Sequence, residues 1–190
     1  MKKLSVMLIL LALMLSGNLA TAQTRWLLEV DPVTFVFGGY SAHLRVQPAG
    51  SDHLLLGAGV YAMNMPSFMV DLNPENKGQG WQVRLNQGIG LFGEYFLHEV
   101  NRKWFLGGQL GWQQYKVKRE DLNGQAAYAN LLLMGYGGYV WQPFTFPLYI
   151  KFWGGLGYSP QISGSSEVDG QTYQVAPVTF FGTFHLGYTF

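Results

Sequence analysis

Residues 103–115 read KWFLGGQLGWQQY. From Trp104 every second residue is apolar or glycine: Trp104, Leu106, Gly108, Leu110 and Trp112. The other phase, Phe105, Gly107, Gln109, Gly111, Gln113 and Tyr115, mixes amides, glycines and rings. Alternation at period two marks a strand with two unlike faces. Tryptophan stands near both ends of the apolar face, where the aromatic girdles of a membrane-crossing strand lie.

The same pattern recurs on both sides of this stretch. Over 40–47 the apolar phase is Tyr40, Ala42, Leu44 and Val46, and the other is Ser41, His43, Arg45 and Gln47. Over 53–63 the outer phase is Leu54, Leu56, Ala58 and Val60, with Gly57, Gly59 and Tyr61 inside. Over 81–97 the outer phase is Val83, Leu85, Ile89, Leu91 and Tyr95, with Gln87 as its misfit; Arg84, Asn86, Gly88, Gly90 and Glu94 face inward. Over 127–141 Ala129, Leu131, Leu133, Tyr139 and Trp141 point out, and Tyr128, Asn130 and Tyr136 point in. Over 148–158 Leu148, Ile150, Phe152, Leu156 and Tyr158 point out, and Tyr149, Lys151 and Trp153 point in. Over 178–190 Phe180, Phe184, Leu186, Tyr188 and Phe190 point out, and Thr183, His185, Gly187 and Thr189 point in. No charged residue falls on an outer phase so assigned.

Single-chain bacterial membrane barrels have even strand numbers, so an eighth strand is expected within 25–37. There Trp26, Leu28 and Val30 would face out, Glu29 and Asp31 in, and Pro32 obstructs the ladder. The connections 48–52, 98–102 and 142–147 are short; 64–80, 119–125 and 160–172 are longer or more polar. Short periplasmic turns and longer extracellular loops are the habit of such barrels. The expected fold is therefore all-β: a closed antiparallel up-and-down transmembrane β-barrel of about eight strands.

Composition and the N-terminus agree with an exported membrane protein. Lys2 and Lys3, an apolar run over 4–15 and the small-x-small triplet Ala20-Thr21-Ala22 read as a signal peptide over 1–22, leaving 23–190 as the barrel. Apolar residues make up 48% of the chain and charged residues only 12%, against about 25% charged in soluble domains. Without Lys2 and Lys3 the net charge of +1 becomes about −1, which argues against nucleic acid as a partner. Cysteine is absent, so disulfides and thiolate metal sites are excluded. The expected address is the outer membrane of a two-membrane bacterium.

The ending Gly187-Tyr188-Thr189-Phe190 resembles small outer-membrane barrels of the OmpX and OmpA transmembrane type. That resemblance implies that Tyr188 and Phe190 are read by the barrel-assembly machinery. The stretch Asp31-Pro32-Val33-Thr34-Phe35 to Gly38-Gly39-Tyr40-Ser41, with Arg84-Leu85-Asn86-Gln87-Gly88, is similar to barrel proteins of Bacteroidetes. This second resemblance spans most of 23–190 and implies no chemistry.

Gly88, Gly90 and Gly93 match G-x-G-x-x-G, but no helical pattern follows, so a glycine-rich strand is the plainer reading. Asp71, Asn73 and Glu75 have the first spacings of a calcium loop, but Asn76 and Gln82 stand where glycine and glutamate belong. No cofactor and no metal is expected. Glu29, His43, Arg45, Arg84, Asn86, Glu94, Gln109, Lys151 and His185 are expected to form a polar network inside, because charges in a narrow lumen must pair. His43, His185 and Glu94 are the candidates for catalysis if the network is an enzyme of lipopolysaccharide. The His-Ser-Glu arrangement of the lipid A deacylase family, with histidine and serine close together near the C-terminus, is not matched, since Leu186 and Gly187 follow His185, and no G-x-S-x-G elbow occurs.

The main expectation is a non-porin barrel with a filled lumen and a structural or surface-interaction role. Its partners would be outer-membrane lipid and lipopolysaccharide, the assembly machinery, and an extracellular partner held by 64–80 and 160–172. The alternatives are a lipid-modifying barrel enzyme, and an exported soluble barrel binding an apolar ligand, whose polar phase should face water.

Overall fold

The computed structural model describes residues 23–190, so the expected export segment lies outside the described residues. Seven strands follow one another up and down: β1 (Arg25–Val30), β2 (Tyr40–Gln47), β3 (Leu54–Asn64), β4 (Trp81–Phe96), β5 (Lys103–Arg119), β6 (Ala126–Trp141) and β7 (Leu148–Tyr158). Three short strands come next: β8 (Gln161–Gly164), β9 (Glu167–Val168) and β10 (Gln171–Thr172). The chain ends in β11 (Val178–Thr189). Because β11 pairs antiparallel with both β7 and β1, the eight longer strands form a ring. β8 continues the pairing of β6 beyond the end of β7.

The expected eighth strand is present but stops at Val30. Pro32–Val36 is a short helix, α1, not strand. Pro32 opens it, where its missing N–H is not needed, and the Asp31 carboxylate accepts from Val33 N at 2.8 Å. The proline that obstructs a strand thus starts a helix that turns the chain back into β2. A second helix, α2 (Ser67–Val70), and a turn of 3₁₀-helix at Pro74–Asn76 fold the connection after β3. The calcium-like loop falls here, and Asn76 is buried as a tie, donating to Val70 O and Gln174 O. Gly88, Gly90 and Gly93 all lie within β4.

The two faces of the ring differ as the alternation requires. Leu106, Leu133 and Leu156 on the outside are 63%, 63% and 68% exposed, while Phe96, Phe105 and Tyr149 inside are sealed. One segment departs from the expected phase. β4 carries a bulge between Leu85 and Gln87, leaving Asn86 as the extra residue against β5. A one-residue slip moves every side chain to the opposite face. Below the bulge Ile89, Leu91 and Tyr95 point out as expected. Above it Trp81, Val83 and Leu85 are buried inside, and Arg84 points outward. Trp81 therefore belongs to no outer girdle; Arg119 lies over its ring at 5.0 Å inside the loop end.

Glycines inside the ring make room for large side chains on the next strand. A Cβ at Gly57 would meet Arg45 Cδ at 2.3 Å, and one at Gly59 would meet His43 Nδ1 at 2.2 Å. A Cβ at Gly187 would meet Tyr149 Cζ at 2.2 Å. In a ring of this size only one large side chain fits at each level across a strand pair.

Candidate functional site

Each strand sends alternate residues inward, so the ring interior is built in layers two residues apart. Nearest the short turns lies an apolar layer: Leu27, Leu55, Phe96, Phe105, Val140 and Tyr149. Phe96 and Phe105 stack there at 5.2 Å. One step deeper stand Glu29 from β1, Arg45 from β2, Glu94 from β4 and Lys151 from β7, none more than 2% exposed. In register, Leu27 stands opposite Arg45, Leu55 opposite Glu94 and Val140 opposite Lys151, so the two layers are staggered between neighbouring strands.

Their contacts form one network. Lys151 Nζ donates to Glu29 Oε1 at 2.6 Å and to Glu94 Oε2 at 2.8 Å. Arg45 Nε donates to Glu29 Oε2 at 3.2 Å, and its Nη1 lies 3.6 Å from Glu94 Oε1. The hydroxyls of Tyr149 and Tyr136 donate to Glu29 Oε1 at 2.8 Å and Glu94 Oε1 at 2.9 Å. Arg45 also lies 4.2 Å over the Phe92 ring. Two carboxylates meet two cations, so the formal charge of the four groups is zero. Isolated, any one of them would be costly to bury; paired, they tie four strands together, with Arg45 Nη1 near Glu94 but making no hydrogen bond.

The histidines form the next level. An indole N–H only donates, so Trp153 Nε1 gives its hydrogen to His185 Nε2 at 3.1 Å. His185 Nδ1 then carries the ring hydrogen and donates to Glu29 Oε2 at 3.0 Å. His43 stacks on His185 at 4.8 Å, with its Nδ1 packed against Gly59. Among the described residues no serine or threonine hydroxyl bonds to either imidazole, and Ser41 is engaged with Asp31 instead. Among the described residues neither histidine is therefore paired with a serine or threonine nucleophile. Nor is any cluster of His, Asp and Glu among the described residues arranged to hold a metal ion. Glu94 bonds to Lys151 and Tyr136, not to either histidine.

Of the nine residues expected in the network, Glu29, Arg45, Glu94, Lys151 and His185 are joined by direct contacts and His43 by stacking. Gln109 sits above them, donating to the Tyr61 hydroxyl at 2.8 Å. Arg84 and Asn86 are not part of it, because the β4 bulge turns them away. Arg84 donates to Asn64 Oδ1 and Gly38 O, and Asn86 to Gln114. Tyr188 and Phe190 lie exposed on the outer face, their rings edge to face at 5.2 Å.

Above the histidines the interior opens. A cavity of about 90 Å³ is lined by Met63, Met65, Met69, Met134, Phe181 and Gln113, among others. A smaller space of about 50 Å³ lies beside it under Tyr173 and Val175. α2 and the 171–177 segment roof this end, and burial pushes the Tyr173 hydroxyl up to about 12, with Asp71 adding to the shift. The sequence reading missed this cavity. Methionines on inner phases and in the 64–80 loop were its only trace. It also left Tyr136, Tyr149 and Trp153 out of the network, although all three lie on inner phases at the right depth.

Comparison of the chain with models of protein families, with curated proteins and with solved structures found no match in any of the three.

Proposed function

We propose that the chain is a small, closed, non-conducting β-barrel of the outer membrane, serving as a rigid membrane anchor that presents its loop end to the outside. The carrying observation is an apolar exterior wrapped around an interior filled at its short-turn end by a neutral set of paired charges. On β5, Trp104 and Trp112 bracket Leu106, Gly108 and Leu110 on the outer face. The eight steps from Trp104 to Trp112, at about 3.3 Å rise and a tilt of about 40°, span roughly 20 Å, close to the apolar band of such barrels. A water-soluble barrel would need the reverse: its polar phase outside and its apolar phase around a ligand. Among the described residues no helix is long and apolar enough to cross a membrane, so crossing would fall to the strands. The export signal expected over 1–22 supports the same address.

The layers at the short-turn end support closure. An ion entering from that side would have to displace Phe96, Phe105 and Tyr149, then the bonded charges behind them. Purified protein in planar bilayers is expected to give no stepwise conductance, and outer-membrane fractions to show a heat-modifiable band. Conductance of the unmodified protein would overturn the plug, and extraction without detergent would overturn the membrane anchor.

A further inference from the structure

The bulge in β4 has moved a cation to the outside of the ring, and β5 holds two more beside it. Arg84 lies directly across from Lys116, and Gln82 across from Lys118. Val83, Leu85 and Val117 are buried inside, which puts Arg84, Lys116 and Lys118 on the outer face. Like charges directly opposite on a sheet repel. Among the described residues none of the three is in a salt bridge, and Arg84 is held by two neutral acceptors, Asn64 Oδ1 and Gly38 O. Glu120, just past the end of β5, accepts from Gln82. Arg119, on the inner face, is paired with Asp121.

Height is the second observation. Lys116 lies four residues beyond Trp112, the outer tryptophan of the apolar band, on the same face of the same strand. That is about 13 Å along the strand and roughly 10 Å along the membrane normal. Polar Gln87, Gln114 and Asn86 fill the interval. This level is where the headgroups of the outward leaflet begin.

We infer that Arg84, Lys116 and Lys118 form a binding site for the phosphorylated headgroup of an outer-leaflet lipid, with its acyl chains lying along Ile89, Leu91, Leu110 and Trp112. An arginine fixed by neutral partners presents its remaining N–H groups as a fork, and the two lysines supply mobile positive charge around it. An anion there removes the cross-strand repulsion that the bare protein carries. The inference rests on the membrane reading, and its test separates the two.

Protein in vesicles is titrated with a bis-phosphorylated glycolipid and with the same glycolipid after dephosphorylation, and bound lipid is counted by native mass spectrometry. The natural chain is expected to prefer the phosphorylated form about tenfold or more, since each basic residue near an anionic surface adds to affinity. The variant R84Q/K116Q/K118Q is expected to lose that preference, and the control K77Q/R102Q to keep it. A natural chain without preference, or a triple variant that retains it, overturns the site. Displacement of the glycolipid by millimolar inorganic phosphate alone overturns the lipid as its source. Failure to insert in vesicles overturns the membrane reading and the site together; insertion without preference overturns the site alone.

Discussion

The two halves of the ring interior solve different problems with the same alternating pattern. Toward the short turns, Glu29, Arg45, Glu94 and Lys151 are buried, paired with one another and capped by an apolar layer. Toward the loops, methionines, amides and a half-buried Tyr61 surround about 90 Å³ of open space. A charged interior must be fully paired, and pairing demands fixed geometry. A methionine-lined interior tolerates rearrangement, because the side chain is unbranched and has several rotatable bonds. The short-turn half therefore holds the ring closed, and the loop half remains adaptable.

Breaking the charged half should have the largest effect. Lys151→Met leaves Glu29 and Glu94 with only Arg45 as a cationic partner, and loss of one member of a buried pair costs about 3–5 kcal/mol. Urea unfolding in micelles checks this, and K151M/E94Q, which restores neutrality, should recover part of the loss. A loss below about 1 kcal/mol would show that the charges are not coupled as the distances indicate.

Packing in the same half comes next. Gly187→Ala drives a methyl group to 2.2 Å from Tyr149, which is sealed and bonded to Glu29. A destabilisation of about 1–3 kcal/mol is expected, as for other overpacked cores. Met134→Leu in the loop half keeps the volume and should cost below about 1.5 kcal/mol. Equal losses for these two variants would erase the contrast between the halves. The smallest effect belongs to Gly135→Ala on the outer face, where an added Cβ meets no atom within 4 Å. Its unfolding midpoint should be unchanged within about 0.5 kcal/mol.

Much of this was readable because period two makes facing a matter of parity. Glu29, Arg45, Glu94, Lys151 and His185 could all be placed on inner phases near the short turns by counting. Parity also explains the failures. Asn86 adds one residue to β4, so the phase expected for Val83, Arg84 and Leu85 is reversed; the misfit Gln87 is the visible sign of the slip. At Pro32 the helix start was written in Asp31-Pro32, an N-cap followed by a first-turn proline, yet strand counting favoured a longer β1. The cavity was not readable, since its roof depends on how 64–80 and 171–177 fold back over the ring. An apolar residue on an inner phase does not disclose whether it meets a neighbour or a void.

The chain contains no cysteine, so single thiols can be introduced and labelled without background. Leu106→Cys and Phe152→Cys on the outer face, with Gln109→Cys on the inner face, should carry a fluorophore in vesicles. Lipids brominated along their acyl chains are expected to quench the labels at 106 and 152 strongly and the label at 109 weakly. Quenching of the labels at 106 and 152 by a water-soluble quencher, with none from the brominated lipids, would contradict a ring that sits in hydrocarbon.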